Sequence, residues 1–155
     1  LREALRAQEI LAERFGVSAD VWSATSYKLL RNDALRDRRW NMLHPAAEPK
    51  IPFVTHQLEK HHGPVIASTD YMKNYAEQIR AFIPKGRTYK VLGTDGFGRS
   101  DFRSELRKHF EINRHYIVVA SLKALADDGS LPFTKVAEAI AKYGIAADKI
   151  NPLYA

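Results

Sequence analysis

The string Gly93-Thr94-Asp95-Gly96-Phe97-Gly98-Arg99-Ser100-Asp101 is the best local candidate for chemistry in this 155-residue chain. It follows a run that reads as a strand and opens one that reads as a helix, the setting of phosphate-binding loops. Its spacing differs from theirs. Neither G-x-G-x-x-G nor G-x-x-x-x-G-K followed by Ser or Thr is present, and Asp101 would place a negative charge where a phosphate would sit. Two readings stay open. In one, the glycines permit a tight turn, Asp101 caps the helix and Phe97 packs. In the other, the turn lies outside the carboxyl end of a strand, where open α/β sheets present ligands. Asp95, Phe97, Arg99, Ser100 and Asp101 then line an interface or a site shared with another domain.

Other residue types offer less. Of the six histidines, His61-His62 precedes Gly63-Pro64 in a polar turn and His56 lies five residues earlier, so no zinc spacing emerges. His109 and His115, among basic and aromatic neighbours, read as surface or interface residues. The chain has no cysteine and no G-x-S-x-G elbow, and Ser26 and Ser100 are explained by helix capping. Tyr71, Tyr75 and Phe82 share one apolar stripe, which makes them core residues before base-stacking platforms and argues against nucleic acid.

The elements that must position the turn follow from periodicity. Leu1, Ala4, Leu5, Leu11, Ala12 and Phe15 fall on one side of a helix that Gly16 stops. Asp20 to Ala24 reads as a short strand, and Thr25 or Ser26 caps a helix through about Met42. Pro45, Pro49 and Pro52 mark a loop, and a short helix covers Phe53 to Glu59. Pro64 to Ser68 reads as a buried strand, followed by one helix carrying Tyr71, Met72, Tyr75, Ala76, Ile79, Phe82 and Ile83. A strand at Tyr89 to Gly93 feeds the turn. A helix starts at Ser100 or Asp101 with Phe102, Leu106 and Phe110 on one face. Asn113 caps a helix ending at Gly129. Pro132 opens the last helix, with Glu138 and Lys142 as an i,i+4 pair and Gly144 at its end. This alternation predicts a single α/β domain over residues 1–155, a three-layer α/β/α arrangement with a mainly parallel mixed sheet. Because Leu1 already sits in a helix, a preceding strand is expected to be missing and the chain to begin within a longer protein.

Composition limits the rest. A hydrophobic content of 45% suits one sizeable core, no run approaches a membrane span, and the absence of cysteine fits a reducing cytoplasm. The net charge of +6 is uneven. Lys85, Arg87, Lys90, Arg99, Arg103, Arg107, Lys108 and Arg114 face only Asp95, Asp101, Glu105 and Glu111 within residues 85–114. That stretch is either a solvated helix face or a docking surface for an acidic partner.

Five strings resemble the homodimeric bacterial type of thiamine-diphosphate-dependent pyruvate dehydrogenase component: Gly16 to Ser23, Arg39 to Pro45, Ser68 to Lys73, Leu92 to Asp101, and Asp148 to Pro152. They occur in order across the whole chain. Transketolases look similar only in the Phe-Gly-x-Ser core at 97–100. The resemblance implies a transketolase C-terminal-like domain, the third of a three-domain subunit. The parent dimer would decarboxylate pyruvate with thiamine diphosphate and Mg²⁺ and pass the acetyl unit to a lipoyl domain of the dihydrolipoyl acetyltransferase core. In that family the cofactor is held by Gly-Asp-Gly and a downstream Asn-Asn; Thr94-Asp95-Gly96 matches only in part and no Asn-Asn follows. No catalytic, cofactor or metal residue is therefore assigned here. The domain is expected to support the dimer and its cofactor-binding domains, with the 95–101 turn at an interdomain contact. The competing readings are a basic interaction or nucleic-acid-binding module and the C-terminal domain of a transketolase-type sugar enzyme.

Overall fold

A computed structural model describes all 155 residues, Leu1–Ala155. Two parallel strands, β1 (Val65–Ser68) and β2 (Tyr89–Leu92), pair in the register Val65 with Tyr89 through Ser68 with Leu92. Alternation along them assigns each side chain to one of two cores. Val65, Ala67, Tyr89 and Val91 face one apolar cluster, and Leu92 faces the other.

Helices α1 (Arg2–Phe15), α6 (Arg114–Asp127) and α7 (Phe133–Lys142) build the first cluster, centred on Val118 and Leu122, both fully buried. Helices α2 (Tyr27–Leu43), α3 (Phe53–Glu59) and α4 (Asn74–Glu77) build the second around Ala34, Val54, Ala76 and Phe82. A two-stranded ribbon alone would be marginal in water; here helices cover both faces, giving the expected three layers in reduced form. Helix α5 (Arg103–His109) connects the turn after β2 to α6.

Several boundaries agree with the periodicity. Gly16 ends α1 in the left-handed conformation at φ 65°. The Ser26 hydroxyl accepts from the Leu29 amide at the start of α2, and Asn113 accepts from the His115 and Tyr116 amides at the start of α6. Elsewhere the structure corrects the pattern. Residues 20–24 form no strand, because no neighbour pairs with them; Asp20 instead contacts His61 at 3.0 Å and Trp22 packs edge-on against the same ring. The buried side of α1 is Ala7 and Leu11, with Leu1 and Leu5 exposed, since small Ala7 allows close approach to α6. Glu138 pairs with Lys135 rather than Lys142. Pro132 occupies the N-cap rather than the first turn of α7.

The largest correction concerns residues 71–83, which do not form one helix. Helix α4 lasts four residues and gives way to a 3-10 turn at Arg80–Phe82. The amides that would start an earlier helix are engaged elsewhere: Tyr71 donates to the Thr69 hydroxyl and Lys73 to the Asp95 carboxylate. Further on, the buried Tyr89 hydroxyl takes the Ala76 carbonyl at 2.8 Å, and the chain continues through tighter i+3 bonds. Consequently Phe82 is core, whereas Tyr71 is 70% exposed and Tyr75 49%.

Candidate functional site

Two loops leave the carboxyl ends of the parallel strands side by side, residues 69–73 after β1 and 93–102 after β2. Backbone and side-chain bonds stitch them together. Thr69 donates from its amide to the Leu92 carbonyl at 3.0 Å, and Thr94 donates its amide to Tyr71 at 2.9 Å and its hydroxyl to Asp70 at 3.1 Å. The Asp95 carboxylate accepts from the Lys73 amide at 3.0 Å and faces the Lys73 ammonium at 3.7 Å. A Cβ on Gly93 would stand 2.8 Å from the Tyr71 carbonyl oxygen. At Gly96, where φ is +116°, it would stand 2.2 Å from the carbonyl oxygen of Pro152, in the C-terminal 3-10 turn Pro152–Tyr154. Close backbone approach therefore requires glycine at both positions.

Charges extend the stitching. Arg107 on α5 donates to Asp70 at 3.1 Å, and Arg114 at the start of α6 grips Glu3 of α1 through two bonds of 3.0 Å and a backbone amide bond of 2.8 Å. Those bonds from Arg114 hold the Glu3 carboxyl below the usual carboxylate range, against the opposing effect of burial.

Beyond Gly96 the turn opens outward. Phe97 is 78% exposed and Phe102 81%, so the reading in which Phe97 packs is overturned. Asp101 and Ser100 do not cap α5: its N-cap is Phe102, and Asp101 only accepts from the adjacent Phe102 amide. Arg99, Ser100 and Asp101 line a shallow cavity of about 320 Å³ with Glu105, Leu106 and His109. His109 Nε2 is buried without a hydrogen-bond partner, and burial, reinforced by Arg99 and Lys149, pushes its pKa below the ordinary histidine value. His115, expected at the surface or an interface, stacks on Tyr143 at 4.3 Å and is likewise lowered, chiefly by burial.

The five candidate residues thus divide. Asp95 is an internal strut, whereas Phe97, Arg99, Ser100 and Asp101 form an open ledge. Tyr71, Met72, Tyr75, Leu153 and Tyr154 are exposed as well. Sequence reasoning missed Asp70, Lys73 and Arg107 as the partners that hold the turn. The available signal was that Ser68 to Lys73 follows the strand at Pro64 to Ser68, and parallel neighbours present their following loops together.

The donor set does not fit a diphosphate and metal site. Asp95 of the Thr94-Asp95-Gly96 string is engaged by Lys73, and no three His, Asp or Glu side chains converge in a way that could hold a metal ion. The basic residues of the 85–114 stretch are dispersed: Lys85 precedes β2 while Arg99 and Arg103 follow it, at opposite ends of the strand. Arg87 is engaged by the carbonyls of Leu58, His62 and Gly63, and Arg107 and Arg114 by carboxylates. No helix is long and apolar enough to cross a membrane.

Comparison with known proteins places these features in context. Residues 1–113 match the family described as the transketolase-like TK C-terminal domain. The chain is 57% identical over 153 residues to the pyruvate dehydrogenase E1 component of Pseudomonas aeruginosa, covering 99% of this chain and 17% of the relative. It is 50% identical over 155 residues to the protein of the same name from Haemophilus influenzae, again 17% of the relative's length. The Escherichia coli K12 protein of that name is 50% identical over 152 residues. The chain thus matches the C-terminal part of proteins about six times as long.

Proposed function

The chain belongs to the transketolase-like TK C-terminal domain family, and from that membership we propose that it is the single C-terminal domain of a pyruvate dehydrogenase E1 subunit. The subunit decarboxylates pyruvate in the cytoplasm with thiamine diphosphate and Mg²⁺ and acetylates lipoyl groups of the dihydrolipoyl acetyltransferase core. The observation that carries this reading is the 57% identity spread over 99% of the chain. The Asp95 carboxylate of the partial Thr94-Asp95-Gly96 match is taken by the Lys73 amide, which supports placing the chemistry in other domains of the subunit.

The domain's own work is to buttress those domains within a homodimer. The two stitched loops form a stiff platform at the carboxyl ends of the strands, and the ledge of Phe97, Arg99, Ser100 and Asp101 presents an aromatic ring and a guanidinium from it. A rigid platform carrying exposed aromatic and arginine side chains suits a protein contact.

Assaying the full-length protein with pyruvate and with sugar phosphates tests the activity. Turnover of pyruvate with lipoyl acceptor is expected; turnover of sugar phosphates alone would replace this reading with a transketolase. Replacing Arg99→Ala in the same protein should lower dimer content or kcat, and unchanged dimerisation and turnover would remove the ledge from the contact.

A further inference from the structure

Helix α2 presents to solvent a stripe in which basic and apolar side chains are interspersed. Lys28, Arg31, Leu35, Arg39 and Met42 follow at intervals of three or four residues, which aligns them along one face of the helix. All five are exposed, Leu35 by 37% and Met42 by 71%, and Leu29 and Leu43 flank the stripe at 67% and 51%. The opposite side of the helix, with Ala34 and Leu30, faces the second core. Both acids of α2 are engaged: Asp33 accepts from Arg36 and from the Phe53 amide, and Asp37, buried, accepts from Arg36. Arg38 lies over the Phe82 ring and donates to the Ala81 carbonyl. Lys28, Arg31 and Arg39 therefore face outward with no carboxylate of the chain within ion-pair distance.

We propose that this stripe docks an acidic amphipathic helix of a protein partner, one with carboxylates a turn apart on either side of aliphatic side chains. Charge complementarity and pattern select that occupant. A membrane-lying helix separates its apolar face from its basic one, whereas here burying Leu35 and Met42 in lipid would bury Arg31 and Arg39 with them. A nucleic acid would use the cations and leave the four aliphatic residues without contacts. A second copy of the same stripe would set like charges against each other. An acidic helix pairs its carboxylates with Lys28, Arg31 and Arg39 and covers Leu29, Leu35, Met42 and Leu43 in the gaps. This surface lies away from the 93–102 turn in sequence and does not depend on the activity proposed above.

The test is fluorescence anisotropy with the full-length protein and a labelled 21-residue helical peptide bearing Glu at i and i+4 around Leu. Its Lys-for-Glu counterpart, phosphatidylserine vesicles and a single-stranded RNA oligomer serve as rival probes. Binding of the acidic peptide should weaken at least tenfold between 50 and 300 mM salt and at least tenfold in the triple variant Lys28→Glu, Arg31→Glu, Arg39→Glu. Leu35→Ser with Met42→Ser should weaken it several-fold at every salt concentration. A control triple variant, Lys85→Glu, Lys90→Glu, Lys108→Glu, should bind as the unaltered protein does, and circular dichroism should show every variant folded. Absence of peptide binding, equal binding of both peptides, insensitivity to the α2 triple variant, or stronger binding of vesicles or RNA overturns the proposal.

Discussion

The two halves of the turn after β2 are adjacent in sequence and opposite in character. From Gly93 to Gly96 each residue is fixed from outside: Gly93 by the backbone at Tyr71, Thr94 by the Asp70 and Tyr71 carbonyls, Asp95 by Lys73, Gly96 by Pro152. From Phe97 to Asp101 no such anchoring is present, and the side chains point away from the core. Gly98 shares the residue type of Gly93 and Gly96 yet has open space where a Cβ would go. The difference teaches that one motif can combine a scaffold that sets position with a ledge left open to solvent.

Substitutions sharpen that comparison. The largest effect is expected at Gly96→Ala, which meets both a positive φ of +116° and the Pro152 carbonyl. A loss of about 2–4 kcal/mol in unfolding free energy should appear in denaturant titration of the full-length protein. Next comes Asp95→Ala, which leaves the Lys73 amide without its acceptor and should cost about 1–3 kcal/mol. If Asp95→Ala were as neutral as an ordinary surface change, the division between the halves would fail.

The Glu3 and Arg114 pair gives a pH signature for the scaffold. Because the folded-state pKa of Glu3 lies below its unfolded value, its contribution is complete above the unfolded pKa, near the ordinary glutamate value of 4.5, and fades as pH falls through the folded pKa. Glu3→Gln should cost about 1–2 kcal/mol at pH 7, a difference that narrows on acidification below about pH 4.5. A difference that widens towards acid would assign the wrong sign.

The smallest effects on stability belong to the ledge. Gly98→Ala and Phe97→Ser should each change unfolding free energy by about 0.5 kcal/mol or less. If the ledge makes the proposed contact, Phe97→Ser should nevertheless reduce dimer content or turnover of the full-length protein. Loss of stability without any change in assembly would reverse the roles of the two halves.

Much of the fold was legible because its causes are local. The stops and caps at Gly16, Ser26 and Asn113 depend on groups within five residues. Residues 71–83 were misread because an apolar repeat at helical spacing describes side chains, whereas the break is imposed through the backbone. Asp95 and Tyr89 reach it from 22 and 13 residues away. Likewise Val21 and Trp22 have strand-forming side chains but no neighbour to pair with, and pairing is not a property of one segment.

The sequence by itself determined the family, the alternation of helices with two parallel strands, and the location of the glycine-bearing turn between β2 and α5. These rest on residue type and spacing along the chain. Only the tertiary structure decided that Asp95 is a strut while Phe97 and Arg99 are exposed, and that Lys28, Arg31 and Arg39 line an exposed face of α2 without carboxylate partners. Those outcomes depend on which distant groups arrive to take each donor, acceptor and charge, and such encounters are set by packing across the sheet.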